Sequence, residues 1–367
     1  MTTLHLFNPE NDLALATNEP HYTPRARATL LARAGGLLPA WMAAQGDCYY
    51  VPTASQTDVD FMQKRFGIEC KIFSETDVIE AVEPWGWSLY ARNVFRNVGV
   101  DTKLLPDDAT LAQYRQLSSR ATAYKINQYI KETVDGQLLP PDAIVTDVAD
   151  EAIAYIARVN GNAYVKAPWS SSGRGVFPAA TMPVATLGKQ IEGIIKRQGF
   201  VTIETALNKR LDFAALFESR DGMARFIGWS VFDTFDRCAY NGNIVAPQAY
   251  LQTYIESRLS DESHLSIILE KLTGAVNQLI APLYEGRFGV DMMIYRAADG
   301  RCLIAPCIEV NLRKTMGMVA LGIAERLDIS HPAMFRVEYK ESFNNNDAFD
   351  ILPPSDSFRF TLANIEN

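Results

Sequence analysis

The chain has 367 residues, 48% hydrophobic, 21% charged and 10% aromatic, with 35 basic against 43 acidic side chains and a net charge of -8. This composition excludes disulfide scaffolds, collagen and wholesale disorder, and the length suits two or three domains of roughly 100–200 residues each. An acidic chain without a Lys/Arg block does not offer the phosphate-neutralising surface that nucleic acids require, and no run of about 18–20 apolar residues predicts a membrane span.

The opening residues, MTTLHLFNPENDLALA, have neither a basic n-region nor a long apolar core, so no secretory signal is expected. Cys48, Cys70, Cys238, Cys302 and Cys307 are scattered with no C-x-x-C pair, which fits reduced thiols in the cytosol better than a disulfide framework or zinc site. None of His5, His21, His264 and His331 is spaced as a metal-ligand pair. The chemistry is not expected to rest on imidazole.

TLHLF, at 3–7, reads as a strand running into a polar loop that carries Asn8, Glu10, Asn11 and Asp12. Thr23-Pro24 opens a helical ARATLLARA that stops at Gly35-Gly36; CYYVP and CKIFS read as strands around a helical VDFMQKRFG. This alternation predicts a parallel α/β sheet over the first 110 residues or so, with ligand-facing loops at the carboxyl ends of its strands. The Asn8–Asp12 loop is then in a binding position, or is a solvated turn built from common turn formers. Trp85 and Trp87 flank Gly86 before a helical LYARNVF, and suit either ligand stacking or core packing.

From about residue 111 helices prevail, followed by a joint at Pro140-Pro141, the helix DEAIAYIARVN and the strand NAYVKAP. After the helix LGKQIEGIIKRQ come FVTIETAL, DFAALFES, ARFIGWSVFDTF and IVAPQAYL as strand-like stretches, then a long helix and the strands FGVDMMIY and CLIAPCIEVN. Strands joined by hairpins make this half α+β. Asn344–Asp347 and the proline-containing segment beyond read as irregular surface.

No P-loop, dinucleotide fingerprint, nucleophile elbow or kinase motif is present. Polar residues do interrupt apolar strands. In Ile308-Glu309-Val310-Asn311 the two-residue period shows Glu309 and Asn311 on one face, and Asp291 stands out in the same way from Val290 and Met292. Asp299-Gly300 is a strong hairpin signal between these strands. Folding there sets Asp291 across from a position between 306 and 309, so two carboxylates and an amide oxygen can converge on a magnesium ion with room for phosphate oxygens. Arg313 and Lys314 follow, where a cation would stabilise a transferring phosphoryl group or an oxyanion. Upstream, Lys166 ends an apolar strand before Ser170, Ser171, Ser172, Gly173, Arg174 and Gly175, a loop able to approach phosphates closely.

A lysine strand, a Ser/Gly loop, further strands and a late Asp…Glu-x-Asn set, in that order, resemble the ATP-grasp superfamily of ligases over roughly residues 121–317. The resemblance implies an N-terminal parallel α/β domain at 1–115 that helps bind the acceptor, followed by the two-subdomain ATP-grasp module. Its lid subdomain would span 116–205, its large subdomain with the metal site 206–340, and a C-terminal tail 341–367. It implies ATP and Mg2+ as cofactors, with Asp291, Glu309 and Asn311 as magnesium ligands. Lys125, Lys166 and Arg174 would neutralise triphosphate charge, with Ser171, Ser172, Gly173 and Gly175 covering it. Glu204 and Leu207 would lie at the adenine hinge, and Asp212 near the ribose-binding position. Arg313 would act on the transferred group, and Arg287, four residues before Asp291, is a candidate second arginine.

The expected activity is activation of a carboxylate as an acyl phosphate and its transfer to an amine or, second, a thiol, on small-molecule or peptide substrates. Neither nucleic acid nor membrane is expected as a partner, and a homodimer is the default assembly. The rival is an ATP-binding scaffold or sensor of the same fold without turnover.

Overall fold

The computed structural model describes residues 2–134, 140–170, 175–235, 239–342 and 348–365. The N-terminal sheet contains β1 (Thr3–Leu6), β2 (Cys48–Tyr49), β3 (Lys71–Ile72) and β4 (Ala81–Pro84) in the order β3-β2-β1-β4, all parallel. Four helices belong to this part of the chain: α1 (Asn11–Thr17), α2 (Ala26–Ala34), α3 (Gln56–Phe66) and α4 (Leu89–Asn97). The chain proceeds from β1 outward to β2 and β3, then returns to place β4 on the other side of β1. That reversal opens a crevice beyond the carboxyl ends of β1 and β4, the usual ligand position in open parallel sheets. The loops that meet there carry Asn8–Asp12 and Trp85–Trp87.

Helices α5 (Asp108–Leu117) and α6 (Arg120–Thr133) lead to a small antiparallel sheet of β5 (Ala143–Thr146), β6 (Ala163–Lys166), β7 (Val176–Pro178) and β8 (Val201–Thr205), ordered β5-β8-β6-β7. Helices α7 (Ala149–Arg158) and α8 (Val184–Gln198) close its core through Tyr155, Ile156, Leu187 and Ile191.

The large sheet consists of β9 (Asn208–Arg220), β10 (Met223–Phe235), β11 (Ala239–Val245), β12 (Gly286–Arg296), β13 (Cys302–Asn311), β14 (Ala333–Tyr339), β15 (Phe349–Asp350) and β16 (Phe358–Asn364). Its order is β13-β12-β9-β10-β11-β14-β16-β15, with antiparallel neighbours throughout. Helices α9 (Gln248–Glu256), α10 (Ser263–Leu279) and α11 (Met316–Arg326) complete this half. α6 and α10 share the principal core with the sheet through Ile126, Ile130, Leu272, Phe217 and Phe288. The expected α/β beginning and α+β remainder are both present.

Two local readings are corrected. IVAPQAYL is a strand only as far as Val245: Pro247, which has no N–H to give a sheet, precedes the first turn of α9. The segment after 347, read as irregular surface, supplies β15 and β16. In β16 the alternation Phe358, Phe360, Leu362 packs into one core with Phe335, Val319, Trp41, Tyr49 and Phe7. That core joins the N-terminal sheet to the far edge of the large one. No helix among the described residues is long and apolar enough to cross a membrane.

Candidate active site

The hairpin of β12 and β13 turns through Asp299-Gly300, where Gly300 has φ +87°, a conformation that L side chains adopt rarely. Pairing begins regularly and then shifts: Met293 faces Ala305, while Asp291 faces Glu309 and Gly289 faces Asn311. The irregularity falls where β13 carries Pro306, which cannot donate to a ladder. Directly opposed residues share a face, so Asp291, Glu309 and Asn311 stand together on one side of the sheet. Burial, and then the Glu309 carboxylate opposite, push Asp291 up to about 7. Asp212 faces Met293 from β9 and adds its charge to the same face; its own carboxylate accepts from Lys209 Nζ at 2.6 Å and Thr234 Oγ1 at 2.9 Å.

These oxygens suit a hard divalent cation. Among the described residues no three His, Cys, Asp or Glu side chains form a self-sufficient metal cage. Two carboxylates and an amide make a partial oxygen set that phosphate oxygens and water would complete, and such a cation would offset both the burial and the Glu309 charge that raise Asp291.

Arg120, which the sequence reading passed over, holds this set from beneath. It is buried at the first turn of α6, with Nη2 2.9 Å from Glu309 Oε2, Nη1 donating to Ile308 O at 3.3 Å and Nη2 to Ser170 Oγ at 3.4 Å. Lys125, expected at the phosphates, is exposed on the same helix. A periodic signal distinguishes the two: Arg120 lies on the stripe of Ala123, Ile126 and Ile130, and Lys125 falls off it.

Lys166 and Glu204 form a buried ion pair between β6 and β8. Burial, then the charges of Glu204 and Asp291, raise the pKa of the Cys307 thiol. Arg120, which reaches both Glu309 and Ser170, ties the end of the small sheet to the acidic face. Gly175, at φ +81°, returns the loop after β6 to its base, where its carbonyl accepts from Ala167 N at 2.8 Å. Ser171, Ser172, Gly173 and Arg174 lie outside the described residues. Leu207 sits in the short connection between β8 and β9, beside Glu204.

Arg313 reaches the opposite side, toward the N-terminal crevice. Its Nε lies 3.1 Å from each carboxylate oxygen of Asp12, its Nη2 donates to Asp12 Oδ2 at 2.8 Å, and the same Nη2 donates to Asn311 Oδ1 at 2.9 Å. Asp12 stands in the first turn of α1, just after the loop residue Asn8, whose side chain donates to Gly86 O at 2.9 Å and accepts from Gly86 N at 3.3 Å. Gly86 bridges to Arg313, and a Cβ there would collide with Asn11. The loop is thus a docked element of the crevice rather than a solvated turn. Trp85 packs edge-on against Phe7 and Trp87 lies against Phe95, so both tryptophans are core residues here.

Lys314 points the other way and is buried with His5 and Asp47, against the more exposed Glu83. Its Nζ lies 3.1 Å from Glu83 Oε1 and 3.2 Å from His5 Nδ1, while His5 Nε2 meets Asp47 Oδ2 at 3.0 Å. An ammonium donating to Nδ1 makes the other ring nitrogen the donor to Asp47. Arg287 is paired with Glu218 at 3.1 Å, on the face of β12 that also carries Asp291. Arg115 donates to Leu15 O at 2.7 Å and lies 3.5 Å over the Trp169 ring, tying α1 to the strand end before the Ser/Gly loop.

No family model and no curated protein matches this sequence. Solved structures do. A biotin carboxylase from Campylobacter jejuni, in complex with β,γ-ATP, superposes with a TM-score of 0.55 at 11% identity over 99% of this chain and 86% of that one. Phosphoribosylamine–glycine ligase from Thermotoga maritima gives 0.53 at 12% identity over 99% and 91%, and N5-carboxyaminoimidazole synthetase from Staphylococcus aureus 0.51 at 9% over 100% and 94%. The chain has the ATP-grasp fold. The acidic face of the large sheet, the Lys166–Glu204 pair of the small sheet and the Asp12-bound Arg313 are the candidate parts of a site in this fold.

Proposed function

We propose that the chain is an ATP-dependent ligase that activates a carboxylate as an acyl phosphate and joins it to an amine, with a thiol as the second acceptor class. The observation that carries this reading is the opposed Asp291–Glu309 pair with Asn311 on the same face, together with a buried lysine and a clamped arginine. Neighbours of the same fold named as a carboxylase, a ligase and a synthetase support it.

A carboxylate oxygen would form a bond to the γ-phosphorus as the bond to ADP breaks, ADP leaving with the electron pair. The amine nitrogen would then form a bond to the acyl carbon, phosphate would leave with the C–O pair, and the nitrogen would lose a proton. Asp291, Glu309 and Asn311 would hold magnesium, which when bound screens phosphate charge. Lys166 would face the triphosphate, and Arg120, 2.9 Å from Glu309, aims that carboxylate. Arg313, immobilised by Asp12, offers fixed positive charge where negative charge develops, and such preorganisation requires no histidine or nucleophilic cysteine. In this reading residues 1–115 bind the acceptor, 116–205 form the lid and 206–340 carry the metal face.

The test is ADP release from Mg-ATP with a panel of carboxylates and amines. Release that needs both substrates and disappears in Glu309→Gln and Asn311→Ala is the expected result. Tight ATP binding with no ADP from any mixture would instead indicate a nucleotide-binding scaffold.

A further inference from the structure

Three carboxylates around β1 and β4 have partners from other elements: Arg313 binds Asp12, Lys314 binds Glu83, and the His5 ring donates to Asp47. Glu10, the N-cap of α1, is only 4% exposed, and among the described residues it has no cationic partner and its buried Oε2 no hydrogen-bond partner. The carboxyl is met by its own backbone N–H and by the Tyr90 hydroxyl. Tyr22 packs edge-on against Tyr90 with centroids 5.6 Å apart, and Tyr50 acts on the same hydroxyl. Tyr22 belongs to a largely exposed segment, Thr17–Arg27, that passes over this corner.

A buried carboxyl with an idle oxygen, among three tyrosines and no lysine or arginine, has the chemistry of an ammonium receptor. The carboxylate supplies charge and an acceptor, and aromatic rings supply cation–π attraction. Leaving such an oxygen unpaired is costly, and a donor arriving with a ligand removes that cost. Two residues further on, Asp12 grips Arg313 at the edge of the acidic face, so Glu10 and that face adjoin the same short segment.

We infer that Glu10, with Tyr90 and Tyr22, forms the subsite for a primary ammonium group of the acceptor substrate. This rests on the ligase reading for the word acceptor, whereas the ammonium subsite itself does not depend on turnover. Burial raises the Glu10 carboxyl to about 7, and an entering cation would hold it ionised.

The test titrates the full chain at pH 8 with methyl- to butylammonium chloride and a set of α-amino acids, against the matching alcohols and sodium chloride. Calorimetry and thermal shift are read with and without Mg-ATP. At least one ammonium probe should bind saturably to the wild type, and the alcohols should not. Glu10→Gln should weaken that probe roughly tenfold or more while Mg-ATP affinity is unchanged. Should Glu10→Gln fail to fold, Tyr90→Phe keeps the ring, and it should weaken the same probe about threefold or more through loss of the orienting hydroxyl. Failure of every ammonium probe to bind a wild type that binds Mg-ATP, or equal binding in the variants, overturns the subsite. Probe binding that needs Glu10 in a protein that never releases ADP would leave the subsite standing and remove the ligase reading. Amine-dependent ADP release indifferent to Glu10→Gln would do the reverse.

Discussion

Asp291 and Glu309 face one another directly across the β12–β13 pair, two carboxylates on the same side of a sheet with an amide oxygen next to them. Without a cation the arrangement is repulsive. Asp291→Asn should therefore raise metal-free stability at pH 8 by roughly 2–4 kcal/mol, while abolishing the gain in stability that Mg-ATP confers on the wild type. Urea unfolding with and without Mg-ATP measures both. A variant that is less stable metal-free, or still stabilised fully by Mg-ATP, would contradict the assigned role.

Arg120 compensates one member of that pair. Its removal as Arg120→Met leaves Glu309 without its partner and should cost about 2–4 kcal/mol. Arg120→Lys should recover only part of this, because an ammonium cannot reach Glu309, Ile308 O and Ser170 together. A double-mutant cycle with Glu309→Gln should give a coupling above about 1 kcal/mol; additivity would show that the two do not act as a pair.

Asp12 holds Arg313 through both carboxylate oxygens from the first turn of α1, some 300 residues away in the chain. Asp12→Asn keeps the shape but loosens the grip. The expected result is a fall of roughly ten- to hundredfold in kcat for ADP release, with Mg-ATP affinity nearly unchanged. A kcat equal to wild type would show that Arg313 needs no such support.

Glu10 gives a pH signature. Its usual value near 4.5 is raised to about 7 in the folded protein, chiefly by burial. The stability it contributes is complete below about pH 4.5 and is lost as pH rises through about 7. The stability difference between wild type and Glu10→Gln should therefore fall by roughly 2–3 kcal/mol from pH 4.5 to 8. Urea midpoints across that range measure it, and parallel curves would mean that the carboxyl is not held neutral by burial.

The C-terminal strand carries weight that its loop-rich approach conceals. Phe360 is 1% exposed in the core that joins the N-terminal sheet to the large one. Phe360→Ala should cost about 3–5 kcal/mol in thermal or urea unfolding. A cost below about 1 kcal/mol would mark β16 as an appendage.

Local patterns determined much of this molecule. Alternation along Ile308–Asn311 placed Glu309 and Asn311 on one face, and the Asp299-Gly300 turn brought Asp291 to them, because a strand's period of two and a hairpin's geometry are properties of the backbone. Alternating strands and helices likewise foretold the parallel sheet. Tertiary structure decided what local periodicity cannot carry. The Pro306 irregularity selected Glu309 as the residue facing Asp291, since a slip within a ladder depends on the partner strand. The hydrophobic stripe of α6, once packed, drew Arg120 inward and left Lys125 in solvent. Asp12 and Glu10 stand two residues apart in one polar segment and look alike in sequence. One acquired an arginine from the end of β13 and the other a tyrosine from α4, because a buried carboxylate's charge and partners are set by whichever elements fold against it.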